Sequence, residues 1–573
     1  MGRYLLVMLT TLILGATARA EELKFKEDFL RRLIADVPTI MKDQDPKTGR
    51  FGEGIWTVND QNSMFPLAVA WATKSDDNPY YRDPKVLKAI VLAGDALIAD
   101  ANDKGQWEFR KKDGSTWGPT YMPWTYYRWL RSFTLIKDGM SPEDRERWED
   151  AVILGYTGIS ETQLTRLVNI PTYHAMGLYL AGKTFDRPEW RKQAKDFLAR
   201  VIAAQDPSGF WSENFGPVVR YNSVYIEALG AYYSISGDEM VLPALARAAK
   251  FHANLLYPDG SLVETLDERN PYHAGLWFPS SGMTLNPEGR GLVLQQLNVL
   301  VKGDKPIATD TMAGYIMDGH EGSTIPTAGA ADQRTFMLDD GKAMVRREKP
   351  WFVCLSAYHC PIRDSRWIQD RQNLVSIYHD KCGLILGGGN TKLQPLWSNF
   401  TVGDVSLLKH APGDIAPDFK PKGALFHIPT AASIQVTDPI GLALKYGEED
   451  CSIEIEPVDD STLRIHLKAT TRSGLPVAAR LTLMPHLGKA VQTENGFDKV
   501  LGEEPFAISD AGGWIAHNGW KLTLPKEASV AWPVLPHNPY RKDGSATIGE
   551  ARLVVSLPFA PGRDQYVLTL SVE

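Results

Sequence analysis

Cysteine is scarce in this chain: four in 573 residues, Cys354, Cys360, Cys382 and Cys451, all in the second half. No Cys-x-x-Cys or paired-histidine spacing accompanies them, which argues against a metal centre, and no cofactor is expected. An exported chain permits disulfides, and four cysteines allow three pairings among which sequence does not choose. Basic excess is also missing. Lys and Arg total 62 against 69 Asp and Glu, a net charge of −7, which speaks against a nucleic-acid partner. An anionic ligand stays open, because arginines gathered in a cleft can focus a field opposite to the net charge. No apolar run of membrane length is present beyond residue 20, and no low-complexity tract stands out.

The first twenty residues carry an export pattern. Arg3 is followed by an apolar run from Leu5 to Leu14 and by Ala18-Arg-Ala20, a small-residue cleavage site. The expectation is a signal peptide over 1–20, cleaved after Ala20, and a secreted or periplasmic protein without a membrane span. Removing Arg3 and Arg19 takes the charge from −7 to −9. The remaining length exceeds one ordinary core, so two domains are expected.

One turn recurs through the first half. Asp45-Pro-Lys-Thr-Gly-Arg-Phe-Gly-Glu53 returns as Asp103-Lys-Gly-Gln-Trp-Glu108, as Asp206-Pro-Ser-Gly-Phe-Trp-Ser-Glu213 and as Asp259-Gly-Ser-Leu-Val-Glu264. The starts lie 58, 103 and 53 residues apart, a period near 50 with a degenerate copy in the middle. Apolar spacing between the turns is helical, with helices expected at 26–42, 62–74, 84–101, 121–136, 142–157, 172–183, 187–204, 221–236, 239–256 and 288–301. Repeated helical hairpins that share a core close into an α/α toroid, here an incomplete ring over 21–301. After about residue 302 the pattern changes to short alternating runs such as Leu374-Val-Ser-Ile-Tyr378 and Leu463-Arg-Ile-His-Leu-Lys468. This predicts an antiparallel β-sandwich over 331–573, joined by a connection over 302–330, in an α+β multidomain chain.

Four clusters could carry chemistry. Asn169 and His174 sit at the start of one helix, where the plainer reading is a cap and a core histidine. Glu213, Arg220, Tyr221, Asn222 and Tyr225 follow the third turn, with the two tyrosines four apart on one helix face. Trp117 and Trp124, with Trp56 in an earlier loop, offer flat faces for sugar rings, although aromatics of such a segment also fill cores. Arg363, Arg366 and Arg371 could grip carboxylate or sulfate, with His379 nearby; a salt-bridged strand edge is the plainer alternative. His273, after the fourth turn, is a further candidate for the mouth of the ring.

Asn, His, Tyr and Arg without a dominant carboxylate pair suit β-elimination from a uronic acid. The C5 proton becomes acidic when hydrogen bonds neutralise the adjacent carboxylate. A base, His or tyrosinate, removes that proton, and an acid, usually Tyr, protonates the departing O4. The chain resembles the toroid polysaccharide lyases: hyaluronate and chondroitin AC lyases, toroid alginate lyases and heparinase II/III-like proteins. Gly209-Phe-Trp-Ser-Glu213 ahead of Tyr221-Asn-Ser-Val-Tyr225 carries the resemblance, with Asn169 placed 56 residues before Tyr225. It implies Tyr225 as the catalytic tyrosine, with Tyr221 competing, Asn169 and Arg220 on the carboxylate, and an anionic polysaccharide as substrate. The family's histidine after the Gly-aromatic motif is replaced by the Glu213 region, and its Asn-His pair is stretched to Asn169 and His174. His174, then His273 and His379, are the candidate bases. A toroid glycoside hydrolase using two of Asp60, Glu213 and Glu264 is the alternative, since it needs two carboxylates flanking one bond. A non-catalytic glycan-binding protein, for which the aromatic cluster would matter and Tyr225 would not, is the other.

Overall fold

The computed structural model describes residues 21–52, 59–110, 115–269, 275–303, 305–411 and 413–573. Trp56, His273 and the expected signal peptide lie outside the described residues. The first half holds helices α1 (Lys26–Lys42), α2 (Met64–Ala72), α3 (Pro84–Asp100), α4 (Pro123–Ile136), α5 (Pro142–Thr162), α6 (Asn169–Thr184), α7 (Pro188–Ala203), α8 (Asn222–Ser236), α9 (Leu242–Asn254), α10 (Pro287–Lys302) and α11 (Thr309–Asp318).

Two kinds of helix alternate. On α7 the buried residues are Trp190, Ala194, Phe197, Leu198 and Val201, one stripe at helical spacing. On α2 every residue from Met64 to Trp71 is buried, and α6 and α8 are buried nearly all round. Stripe-faced helices make the outer ring and the apolar ones the inner ring, with α2, α4, α6 and α8 packing in succession. Residues 302–330, expected as a connection, contain α11. It packs against α1 and α2, and also against the short helical turn Ser281–Leu285 that follows α8 around the ring.

The recurring turn is one hydrogen-bonded structure used four times. Gly49 donates to the Asp45 carbonyl, Gly105 to Asn102, Gly209 to Asp206 and Gly260 to Tyr257, all at 2.8–2.9 Å. Each glycine has φ between +73° and +101°, where a side chain would be strained. At Gly209 a Cβ would also lie 2.2 Å from the Arg247 carbonyl oxygen. The anchoring of the chain beyond the turn repeats too. Trp107 donates its indole N–H to Leu97 and Trp211 to Val201, each ten residues back at 2.9 Å. Gln61 closes two hydrogen bonds on the backbone of Phe51, and Asn222 closes the same two on Trp211. Asn222 is fully buried in that role, so the expectation that it binds substrate is corrected: it is a fastener of the repeat.

The second half is a sandwich of an eleven-stranded and a nine-stranded sheet. Strand Thr462–Ala469 buries alternate residues, as a sheet with one wet face requires. Strand Trp351–Ser356 is buried at every position. Its Val353 and Leu355 enter the sandwich core, while Phe352 and Cys354 join Phe210, Val219, Phe251 and Tyr257 of the toroid. The larger sheet is therefore the middle layer, and the toroid's turn-bearing end packs on it. All four cysteines are buried free thiols. Among the described residues no helix is long and apolar enough to cross a membrane.

Replacing Asn222 with Ala strands the Trp211 N–H and carbonyl in the core. Thermal or urea unfolding is expected to show a loss of about 1–3 kcal/mol. Gln61→Ala, doing the same to Phe51, is expected to show a similar loss, and a silent pair would refute the fastener role.

Candidate active site

Loops 204–221 and 255–269 lead into the inner ring and meet the β-sandwich. One buried guanidinium fixes both. Arg371 donates to the carbonyls of Phe215 (2.9 Å), Pro217 (3.3 Å) and Leu266, and lies 3.7 Å from the Glu268 carboxylate. Glu268 in turn accepts from Asn214 and from the Phe215 N–H. Asp267 accepts from the backbone N–H groups of Arg220 and Arg269. Arg371 is 1% exposed, so the expectation that it grips substrate is corrected.

Held this way, Tyr221 and Arg269 face each other at the mouth. The Arg269 guanidinium lies 4.6 Å from the Tyr221 ring centre and 3.6 Å from the Glu213 carboxylate. The β-sandwich closes the cluster from above. Tyr540 places its hydroxyl 3.5 Å from that of Tyr221, and its ring meets Trp367 edge-on at 5.6 Å. Trp367 is flanked by Arg269 at 5.5 Å and Arg366 at 4.6 Å. Burial raises the Glu213 carboxyl above its usual range, although Arg269 opposes the shift. Burial also raises the Tyr540 hydroxyl, with Tyr221 adding to the effect and Arg269 opposing it, so Tyr540 stays protonated.

Other sequence candidates lie elsewhere. Tyr225 is fully buried, its ring stacked 5.0 Å from Trp211 at 3°, and its hydroxyl has no partner among the described residues. The face it shares with Tyr221 turns inward after the first helical turn. His174 is 2% exposed, and burial holds its imidazole at about 3, which makes it a weak base. His379 is 3% exposed, edge-on to Trp351 and bonded to the Asp460 carbonyl, inside the sandwich rather than at the mouth. Glu264 is buried and accepts from the Gly388 N–H at 2.9 Å, beneath the middle sheet. Asn169 opens α6, half-buried, and Arg220 is exposed beside Tyr221. Trp124 packs on Tyr173, and Trp117, 61% exposed, stacks on Phe109 on a short hairpin at the rim.

Neither a family model nor a curated protein matches the sequence. Solved structures do. The chondroitin AC lyase of Streptomyces coelicolor A3 aligns at a TM-score of 0.52 and 13% identity, over 96% of this chain and 80% of that one. A heparinase III aligns at 0.54 and 10%, over 89% and 76%. A second heparinase III aligns at 0.52 and 13%, over 96% and 84%. The fold is that of the toroid polysaccharide lyases.

Within this lyase fold, sequence reading missed Arg269, Trp367 and Tyr540. Arg269 lies five residues past the fourth repeat turn, and that adjacency was the available signal. Tyr540 belongs to a loop 319 residues from Tyr221, and nothing local in the sequence joins them.

Burial of His174 also ties stability to pH. Its imidazole titrates near its usual 6.5 in the unfolded chain and at about 3 in the fold. The unfolded state therefore takes up the proton first, and this contribution to stability, complete above pH 6.5, is lost as pH falls toward 3. Melting temperature followed against pH is expected to fall less steeply over that window in His174→Gln than in the parent. Parallel curves would contradict the assignment.

Proposed function

We propose that the protein is an exported polysaccharide lyase that cleaves a uronate-containing polysaccharide by β-elimination. The observation that carries the reading is the pair of tyrosine hydroxyls 3.5 Å apart across the domain boundary, beside the Arg269 guanidinium. Elimination needs one group to remove the C5 proton and another to protonate O4. Tyr221 is assigned as the base that takes the C5 proton, with the Arg269 guanidinium beside its ring. The C5 electron pair forms the C4–C5 double bond as the C4–O4 bond breaks. Tyr540, kept protonated by burial, donates its proton to O4. Tyr221 then carries a proton and Tyr540 lacks one, and transfer across the 3.5 Å gap restores both. Asn169 and Arg220 are assigned to the substrate carboxylate, whose neutralisation acidifies C5. Trp117, Trp124 and Trp367 are assigned as sugar platforms.

A hydrolase gains less support. Its carboxylates must flank the bond with access to water. Glu264 is covered by the middle sheet, and Glu213 is committed to Arg269. The catalytic role expected of Tyr225 passes to Tyr221, because a fully buried ring has no path to a polysaccharide.

Incubation with a panel of uronate polysaccharides is expected to yield unsaturated products that absorb in the ultraviolet. Tyr221→Phe and Tyr540→Phe are each expected to lower kcat by about 10²–10⁴-fold. Tyr225→Phe is expected to keep turnover near that of the parent. A substrate with an aryloxy leaving group at C4 needs no acid, so it should rescue Tyr540→Phe and leave Tyr221→Phe inactive. New reducing ends without ultraviolet absorbance would move the assignment to a hydrolase.

A further inference from the structure

Below the mouth, on the axis of the ring, lies a cavity of about 160 Å³. Nearly the whole inner ring contributes to it: Phe65 from α2, Tyr127 and Arg128 from α4, Glu227 from α8, Asp310 and Tyr315 from α11, and the segment Trp277–Ser281. Glu227 lies six residues beyond Tyr221, which at 1.5 Å per residue puts it about 9 Å farther down the axis. The cavity continues the candidate active site and is separate from the tyrosine pair.

Its charge is opposite to what a polyanion would meet with favour. Among the described residues Arg128 is the cation in the wall, 11% exposed, and it is shared between Asp310 at 3.0 Å and Glu227 at 3.4 Å. Tyr173 adds a hydrogen bond to Glu227 at 2.8 Å. Deeper in the wall, Asp318 is matched by Arg131 at 2.7 Å. Among the described residues one guanidinium therefore faces two carboxylates, and one negative charge is left over. Those carboxylates remain accessible, Glu227 at 28% and Asp310 at 31% exposure. Trp277 and Phe278, half-buried, give the pocket its accessible aromatic surface, with the buried Tyr127 and Tyr315 behind it. A carboxylate surplus inside an aromatic wall selects a compact organic cation and repels a uronate or sulfate. The rings and the size of the cavity favour a cation carried on a single sugar.

We propose that this axial pocket binds the protonated amine of an amino sugar, so that the substrate carries an unacetylated hexosamine near its uronate. The polymer clause rests on the lyase reading; binding of the amino sugar itself does not. The glycan then enters with its uronate held at the mouth and its amine directed down the axis. Glu227 sets this preference through its charge, as a specificity residue that takes no part in proton transfer.

The test is calorimetric titration of the full mature protein with glucosamine, N-acetylglucosamine, glucose and methylammonium, below the pKa of the amine. Glucosamine is expected to bind about ten-fold or more tightly than each of the other three, because each lacks either the charge or the ring. Glu227→Gln keeps the acceptor for Tyr173 and neutralises the surplus, so it is expected to erase the preference for glucosamine over its acetylated form. Asp310→Asn, on a different helix, is expected to do the same, which guards against local misfolding of either variant. Equal binding of the amine and the amide, no binding of glucosamine, or a preference that survives both substitutions would overturn the proposal. Methylammonium binding as tightly as glucosamine would overturn the sugar assignment. The readout is binding to the resting protein, so it stands apart from the unsaturated product that tests the lyase reading.

Discussion

One buried guanidinium decides whether this protein has a site at all. Arg371 belongs to the β-sandwich, yet its hydrogen bonds end on carbonyls of two toroid loops. Burying an arginine is costly unless its donors and its charge are both answered. Here three carbonyls answer the two terminal nitrogens, while the Nε–H has no partner among the described residues, and Glu268, itself 1% exposed, answers the charge. Neither loop has regular secondary structure of its own at these points, so their shape comes from the partner domain. Asp267 and Glu268 then pass that shape on by fixing the backbone of Arg220, Arg269 and Phe215. The orientation of Tyr221 toward Arg269 is thus a property of the docked domains together.

The sandwich side is organised by a similar device. Lys392, fully buried, donates to the Arg363 carbonyl at 2.7 Å and to the Asp370 carboxylate at 2.9 Å, closing the loop that presents Arg366 and Trp367. Burial alone would raise the Asp370 carboxyl, but His427 and Lys392 together hold it below its usual range. The adjacent Thr391 bonds to both the N–H and the carbonyl of His537, at the root of the loop that carries Tyr540. Two consecutive buried residues therefore set both sandwich loops that reach the mouth. Charge is placed inside this protein where it fixes irregular backbone, and the apolar cores handle the rest.

That division explains what the sequence made legible. Helical spacing located α1 at its observed bounds and most other helices within a few residues, because an outer helix must show a stripe and an inner one an apolar run. The recurring turn was legible because only glycine suits its left-handed position. The helix α11 was missed because Thr309–Asp318 is short and follows a Gly, Lys and Pro stretch that reads as a connection. Of the candidates read from the sequence, Tyr221 and Asn169 came from helix starts and Glu213 from the third repeat turn. Tyr225 was overvalued because helical spacing places two tyrosines on one face without saying how deep that face lies. Arg269 and Tyr540 meet Tyr221 through tertiary contact alone, and Arg371 read as a ligand because a buried structural arginine and a substrate-binding one look alike in sequence.

The degenerate copy in the repeat bears on how a polymer would reach this site. Four of the outer-to-inner connections contain the glycine turn and are long: 43–63, 101–122, 204–221 and 255–280. The connection between α5 and α6 spans only 163–168 and has no such turn. By length alone, the short one is a gap in the series of long connections around the ring. Asn169 stands at the inner edge of that gap, and the next connection in the ring carries Glu213 and Tyr221. The two helices that the short connection joins, α5 and α6, are still in contact without the turn. In the lyase reading proposed above, this short connection is where an extended chain would reach the tyrosine pair.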